Sequence, residues 1–309
     1  MIDRITIKNV VDNLKLEVLS GEEYLDREVT RSTSSRPGVE IYSDYFEFYE
    51  STRIQVIGTK ELNLFYMIND EQKKVRVNKL FSYNPPAFIF TAHVSLVPDE
   101  FYEASKEFKI PILKSKLRTT PLIGALSNYL SDLLAEKKTM HGVMLEIDGV
   151  GVLLMGKSFI GKSETALELI KRGHALISDD SVELARHDDG EIVASAPKLT
   201  ERLMELRGIG LIDVVDLFGV QAYRNKKSVS LVIELVKYEE GMKIDRLGLD
   251  QKKQMLFDIE VPKVEIYVMP GRNTATLVEV ATMNWKLKSI GKDTAREFVD
   301  KLDAIVNKK

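Results

Sequence analysis

One segment restricts the fold of this chain more than any other: Gly156-Lys157-Ser158-Phe159-Ile160-Gly161-Lys162-Ser163, which matches the pattern G-x-x-x-x-G-K-[ST]. The apolar run Val152 to Met155 precedes it. Glu164 to Arg172 follows with Ala166, Leu167 and Ile170 on one helical face and Gly173 as the stop. A strand, a glycine loop and a helix in that order make an anion cradle. Gly156 and Gly161 permit torsions that turn successive N–H groups inward toward phosphate oxygens, and the positive end of the helix adds to the attraction. Lys162 brings an ammonium to the outer phosphates, and the Ser163 hydroxyl is suited to ligate magnesium. A tight turn that happened to be rich in Gly, Lys and Ser would not need this strand before it or this helix after it.

The loop lies near the middle of 309 residues, a length that favours two domains. We expect a small N-terminal α/β domain over 1–130 and a C-terminal phosphate-loop catalytic domain over 131–309. In the first half, short apolar segments alternate between strand and helix patterns: a strand at 15–19, a turn at Ser34-Ser35-Arg36-Pro37-Gly38, a buried strand at 87–92 and a helix at 101–108. Thr119-Thr120-Pro121 starts a helix whose leucines repeat to Leu134, which we read as a linker into the second domain. That domain then begins with strands at 143–147 and 151–155, joined at Asp148-Gly149, and ends in a helix over 293–306.

Lys and Arg number 44 against 47 Asp and Glu, a balance without the cationic excess of a general nucleic-acid binder. No apolar run reaches the ~20 residues of a bilayer crossing, and the first residues lead into no signal-like stretch, so a cytoplasmic, soluble protein is expected. Cysteine is absent, which excludes disulfides and thiolate chemistry. Ile177-Ser178-Asp179-Asp180 ends a strand in carboxylates downstream of the phosphate loop. Adjacent acids there face opposite sides, so one can hold metal or water while the other accepts a proton. His141 and Gly142 open the first strand of the domain, and His174 reads as a cap or packing residue. Met204 to Asp213 fits neither a helix nor a plain strand and reads as a bent connection.

Met140-His141-Gly142, the loop with Glu164-Thr165-Ala166-Leu167-Glu168-Leu169, Arg172-Gly173-His174, Asp179-Asp180, Glu205-Leu206-Arg207-Gly208-Ile209-Gly210, Asp245-Arg246-Leu247-Gly248 and Pro270-Gly271-Arg272-Asn273 occur in that order. Together they resemble the bacterial HPr kinase/phosphorylase family, and the resemblance runs over most of the chain. It implies a bifunctional enzyme that phosphorylates a serine of HPr, the phosphocarrier protein of the sugar phosphotransferase system, with ATP or pyrophosphate and Mg2+. It also implies removal of that phosphate by phosphorolysis to pyrophosphate, a homohexamer, a role in carbon catabolite repression, and a catalytic fold like phosphoenolpyruvate carboxykinase. By the same resemblance Asp180 is the proton acceptor and donor, and His141, Lys162 and Arg246 are active-site positions. Ser163 and Glu205 match the magnesium ligands. The loop used in both directions carries Glu205, Arg207, Gly208 and Gly210, and a dephosphorylation segment carries Tyr267, Pro270, Gly271 and Arg272. The chain departs from the family pattern at Phe159, where a glycine is usual, and at Lys157, Val220, Gln221 and Tyr223. A nucleotide-dependent switch without phosphoryl transfer and a phosphate-loop kinase of small molecules are the alternative readings.

Overall fold

Strands that are apolar on consecutive residues need cover on both faces. Phe88-Ile89-Phe90 and Val152-Leu153-Leu154 are of this kind, each fully buried along its length. The computed structural model, which describes residues 4–242 and 252–306, provides that cover separately in two units, Met1–Ala135 and Glu136–Lys309.

The first unit runs α1 (Ile7–Leu14), β1 (Glu17–Ser20), β2 (Ser34–Ser35), α2 (Gly38–Ser43), β3 (Ile54–Ile57), α3 (Thr59–Tyr66), α4 (Asp70–Ser82), β4 (Phe88–Phe90), α5 (Asp99–Phe108), β5 (Ile112–Lys114) and α6 (Thr119–Leu134). Its sheet has the order β1-β5-β4-β3-β2, with β2 to β5 parallel and β1 antiparallel at one edge. Phe88 and Phe90 pack with Phe65, Leu80, Phe81 and Phe101 of α3, α4 and α5, whereas Ile89 on the opposite face packs with Ile7 and Val10 of α1 and Leu122, Leu126 and Leu130 of α6. Two expectations change here. The helix read as a linker is a core element of this unit, because its leucines repeat on one face and are buried against the sheet. The expected turn at Ser34–Gly38 is instead a strand-to-helix junction: Ser34 and Ser35 pair with Ile54 and Gln55, and Arg36 is held 2.7 Å from Glu61.

The second unit runs β6 (Glu136–His141), β7 (Val143–Ile147), β8 (Val150–Gly156), α7 (Lys162–Lys171), β9 (Ala175–Ser178), β10 (Ser181–Arg186), β11 (Ile192–Ser195), β12 (Leu203–Leu206), β13 (Gly210–Asp213), α8 (Val214–Phe218), β14 (Lys226–Ser228), β15 (Leu231–Lys237), β16 (Lys252–Leu256), β17 (Ile259–Val268), α9 (Thr274–Ser289) and α10 (Thr294–Val306). A six-stranded sheet of order β16-β17-β15-β8-β7-β9 is its centre, and a four-stranded antiparallel sheet of order β14-β11-β10-β6 covers one face. Residue alternation divides the two interiors. Val143, Leu145, Val152, Leu154, Leu231 and Ile233 pack with α7, α9 and β12, while Met144, Leu153 and Val232 pack with Val182, Leu184, Ile192 and Ala194 of the second sheet.

Asp148 and Gly149 join β7 to β8 with φ of +49° and +82°, the pair of left-handed residues that a two-residue hairpin requires. The unit does not begin with β7, however. His141 ends a preceding strand, β6, which lies at the edge of the four-stranded sheet. Met204 to Asp213 is also not a bent connection but the hairpin β12–β13, with Leu203 opposite Asp213 and Leu206 opposite Gly210. Gly208 and Gly210 take φ of +79° and +102°, which is why two glycines interrupt the apolar pattern there. No helix among the described residues is long and apolar enough to cross a membrane.

Candidate active site

The register of the six-stranded sheet brings the loop and the acids to one edge. β9 lies beyond β7, and both neighbouring pairs, β8–β7 and β7–β9, are antiparallel, so β8 and β9 run in the same direction. Met144 lies opposite both Leu153 and Ser178. Gly156, at the end of β8, and Asp179, just beyond the end of β9, therefore emerge on the same side of the sheet.

The loop backbone has the torsions expected of an anion cradle. Gly156, Phe159 and Gly161 have φ of +147°, +70° and +96°. Gly156 also has no room for a side chain, since a Cβ would lie 2.7 Å from the Leu235 carbonyl oxygen. Gly161 starts α7, and its carbonyl accepts the first helical hydrogen bond, from the Thr165 N–H at 3.0 Å. The N–H groups of the first helical turn have no intrahelical partners and are free to bind an anion. Lys162 folds back across the loop and donates from Nζ to the carbonyl oxygens of Gly156 at 3.1 Å and Lys157 at 3.3 Å. Lys157, Ser158 and Phe159 are exposed, and Ile160 packs on the core.

Asp179 and Asp180 form the connection between β9 and β10, and they face different surroundings. Asp179 is buried and accepts hydrogen bonds from the Ser163 hydroxyl at 2.9 Å and from the Glu205 N–H at 3.1 Å. Burial pushes its carboxyl above the ordinary aspartate range, against the opposing pull of those two bonds. Asp180 is 76% exposed and its backbone is left-handed at φ +60°, a conformation that Asp tolerates better than most residues. Its carbonyl accepts from the Gly142 N–H at 3.1 Å, and its carboxylate oxygen is 4.0 Å from Nδ1 of His141, which is itself exposed.

Ser163, Lys162, Asp179 and the strand carrying Glu205 are thus brought together, with Asp180 and His141 next to them. Ser163 and Asp179 offer hard oxygen atoms, and Glu205 adds an exposed carboxylate on the same strand as the N–H bound to Asp179. This donor set suits Mg2+. Arg207, in the β12–β13 turn, has its guanidinium carbon 3.5 Å from the centroid of the Phe159 ring. Tyr267, Pro270, Gly271 and Arg272 lie farther off. Ile266 aligns with Leu235 and Leu235 with Gly156, so the segment after β17 leaves the same edge two strands along, roughly 10 Å from the loop. The Tyr267 hydroxyl donates to Glu265 at 3.2 Å. Arg246, with Asp245, Leu247 and Gly248, lies outside the described residues.

The sequence reading puts both acids beside the loop and gives one of them metal or water, without assigning Asp179 its bonds to Ser163 and Glu205. The adjacent acids at a strand end were the available signal, and their division into a buried and an exposed carboxyl follows from it. The Phe159–Arg207 contact had no signal in the sequence. His174 is a packing residue, as read: it is buried, and its Nε2 is 3.0 Å from Glu279 of α9, which also pairs with Arg172 at 2.8 Å.

Comparison with known proteins gives a consistent result. The family model described as HPr Serine kinase N terminus matches residues 5–130, and that described as HPr Serine kinase C-terminal domain matches residues 132–302. The HPr kinase/phosphorylase of Bacillus licheniformis is 44% identical over 303 residues, covering 98% of this chain and 97% of that protein. The HPr kinase/phosphorylase of Bacillus subtilis is 43% identical over 303 residues with the same coverage, 98% and 97%. Among solved structures, the Hpr(Ser) kinase/phosphatase from Coxiella burnetii is 38% identical, covers 52% of this chain and 98% of its own, and aligns with a TM-score of 0.47.

Proposed function

The chain belongs to the HPr kinase/phosphorylase family, and from that premise we propose that it phosphorylates a serine of the phosphocarrier protein HPr and reverses the reaction by phosphorolysis. The observation that carries the proposal is the placement of two adjacent carboxyls beside one phosphate loop, Asp179 buried against Ser163 and Asp180 open to a partner.

In the forward direction, the loop amides and Lys162 hold the phosphates of ATP or pyrophosphate. Asp180 accepts the proton as the seryl oxygen bonds to the outer phosphorus and the bond from that phosphorus to the bridging oxygen breaks. In reverse, an oxygen of inorganic phosphate bonds to the phosphorus of phosphoserine, the P–O bond to serine breaks, and Asp180 returns the proton to the departing serine oxygen. Pyrophosphate is the other product. His141, next to Asp180, helps to orient that carboxylate. Ser163 and Glu205, with Asp179 behind Ser163, would hold Mg2+, which when bound neutralises phosphate charge. Arg207, Gly208 and Gly210 belong to the hairpin that serves both directions, and Tyr267, Pro270, Gly271 and Arg272 serve dephosphorylation. Arg246 is assigned to the site on family resemblance. The proposal extends to a cytoplasmic homohexamer that regulates carbon catabolite repression.

The test is mass spectrometry of HPr incubated with this protein, Mg2+ and ATP, and then with excess inorganic phosphate. We expect one phosphoserine to form and then disappear as pyrophosphate accumulates. Asp180→Asn should lose both directions with little change in thermal stability, because its side chain is largely in solvent and Asn tolerates the left-handed backbone there as Asp does. Hydrolysis of ATP without modification of HPr would refute the substrate assignment.

A further inference from the structure

Phe159 occupies a position that physical chemistry disfavours twice. Its backbone is left-handed at φ +70°, where a Cβ is crowded, and its large apolar ring is 79% exposed. Phosphate binding explains neither feature, since glycine would adopt the torsion more easily and leave the loop amides unchanged. The ring does have one partner. Arg207 extends from the β12–β13 turn and places its guanidinium carbon 3.5 Å from the ring centroid, a face-contact distance. No carboxylate among the described residues is ion-paired with Arg207.

The difference between a carboxylate and a ring as the partner of an arginine is decisive here. A carboxylate neutralises the charge and consumes two in-plane donors. A ring face holds the planar cation by its π-surface and leaves the N–H groups along its edge available. The stack therefore fixes an arginine next to the phosphate loop with its charge uncompensated and its donors unspent among the described residues. It also joins the loop to the hairpin whose Glu205 N–H binds Asp179.

We propose that Phe159 is a positioning residue: its ring holds Arg207 ready to bind the outer phosphoryl oxygens of an anion seated in the phosphate loop. The proposal rests on reading that loop as the phosphate site of the transfer reaction. It assigns the cost of a left-handed phenylalanine to anion affinity rather than to folding. Removing the ring should then relax the backbone and weaken binding at the same time.

The test is isothermal titration of the full-length protein with pyrophosphate and with ATP, at fixed Mg2+ and without HPr. The variants are Phe159→Gly, Phe159→Leu, Phe159→Tyr, Arg207→Ala and the double variant Phe159→Gly/Arg207→Ala. Phe159→Gly should melt at or above the wild-type temperature yet bind pyrophosphate about five-fold more weakly, as expected for loss of a cation–π contact. Arg207→Ala should lose about ten-fold or more. The double variant should bind no worse than Arg207→Ala, and Phe159→Tyr should keep wild-type affinity where Phe159→Leu does not. Wild-type affinity in Phe159→Gly or Phe159→Leu, or losses that multiply in the double variant, would overturn the proposal. A wild-type protein that never phosphorylates HPr but shows this coupling would overturn the kinase reading alone. Normal HPr phosphorylation without the coupling would overturn this proposal alone.

Discussion

Asp179→Ala separates what a buried carboxylate does for the fold from what it does for the site. The substitution removes an acceptor of two hydrogen bonds, from the Ser163 hydroxyl and the Glu205 N–H. At roughly 1.5 kcal/mol each for bonds to a charged acceptor, the gross loss is about 3 kcal/mol. Water can reach the Ser163 hydroxyl after truncation, because Ser163 is half-buried, and neither bond is fully buried. Against that loss stands the cost of keeping the charge out of solvent, which is the larger influence, since burial raises the Asp179 pKa in spite of both bonds. The net change in stability at neutral pH should therefore be about 1 kcal/mol or less, far below the gross figure.

The pH dependence has a definite sign. The folded protein holds this proton more tightly than the unfolded chain does. Between the ordinary aspartate value and the raised folded value, the folded state carries the extra proton, and stability falls as pH rises, by up to about 1.4 kcal/mol per unit. Urea unfolding of wild type and Asp179→Ala from weakly acidic to neutral pH should show the wild-type advantage shrinking as pH increases. Trp285 is the only tryptophan and packs on the core of the second unit, so its fluorescence follows the unit in question. Titration of Mg2+-dependent ATP binding should show a loss of about ten-fold or more even where stability is unchanged, because Ser163 loses the carboxylate that orients it. A wild-type advantage of several kcal/mol that grows toward neutral pH would refute the reasoning, since the bonds would then outweigh the burial.

Glu279 gives the opposite pH dependence. The Arg172 bond, then that of His174, holds its carboxyl below the ordinary glutamate range, so its contribution is present above that range and lost as pH falls through the lowered value. Glu279→Gln should cost about 1 kcal/mol at neutral pH, and the difference should narrow on acidification. Urea unfolding at a series of pH values checks this, and a pH-independent difference would count against it. Gly151→Ala tests the packing of the two sheets in the second unit. Its Cβ would lie 1.9 Å from the Ser228 carbonyl oxygen, so backbone must move. A cost of about 3 kcal/mol, or a fall in Tm of roughly 6–12 °C by calorimetry, is expected. A Tm within about a degree of wild type would show that β14 can shift without penalty.

The elements legible in the sequence were those whose chemistry leaves little choice. The phosphate loop needs glycines at Gly156 and Gly161 and a helix after it, and the residue types say so. The β7–β8 hairpin is declared by Asp148-Gly149. β6 was not legible because it is an edge strand: Glu136-Lys137-Lys138-Thr139 is exposed throughout, and charge on an edge guards against unwanted pairing while erasing the alternation that marks a strand. α9 was hidden for a related reason. Only Ala275, Val278 and Thr282 are buried, and two of these are too small or too polar to produce a clear apolar stripe. In the site, Asp180 and Ser163 stood in recognisable motifs, whereas the Asp179–Glu205 bond and the Phe159–Arg207 stack join segments far apart in the chain. Such contacts depend on the order of strands in the sheet, which local residue patterns do not encode.

The division of labour between Asp179 and Asp180 follows from that strand order. Just beyond the buried strand, Asp179 faces inward, and Asp180, with its left-handed backbone, faces outward. The inward carboxyl meets the loop that follows β8, because β9 runs in the same direction two strands away. The outward carboxyl meets whatever approaches from solvent. The two acids are not placed for each other's tasks: Asp179 is buried and bonded to Ser163 and Glu205, and Asp180 is the one with a path to an incoming hydroxyl. A reaction run in both directions needs such an arrangement. The group that shuttles the proton must stay accessible to a partner protein that arrives and leaves, while the group that orients the loop serine must keep its place in both states. In the proposed reaction, with Asp180 as the shuttle in solvent and Asp179 as the anchor in the core, one dipeptide would do both, at the cost of a left-handed residue at Asp180 and a carboxyl at Asp179 held above its ordinary pKa.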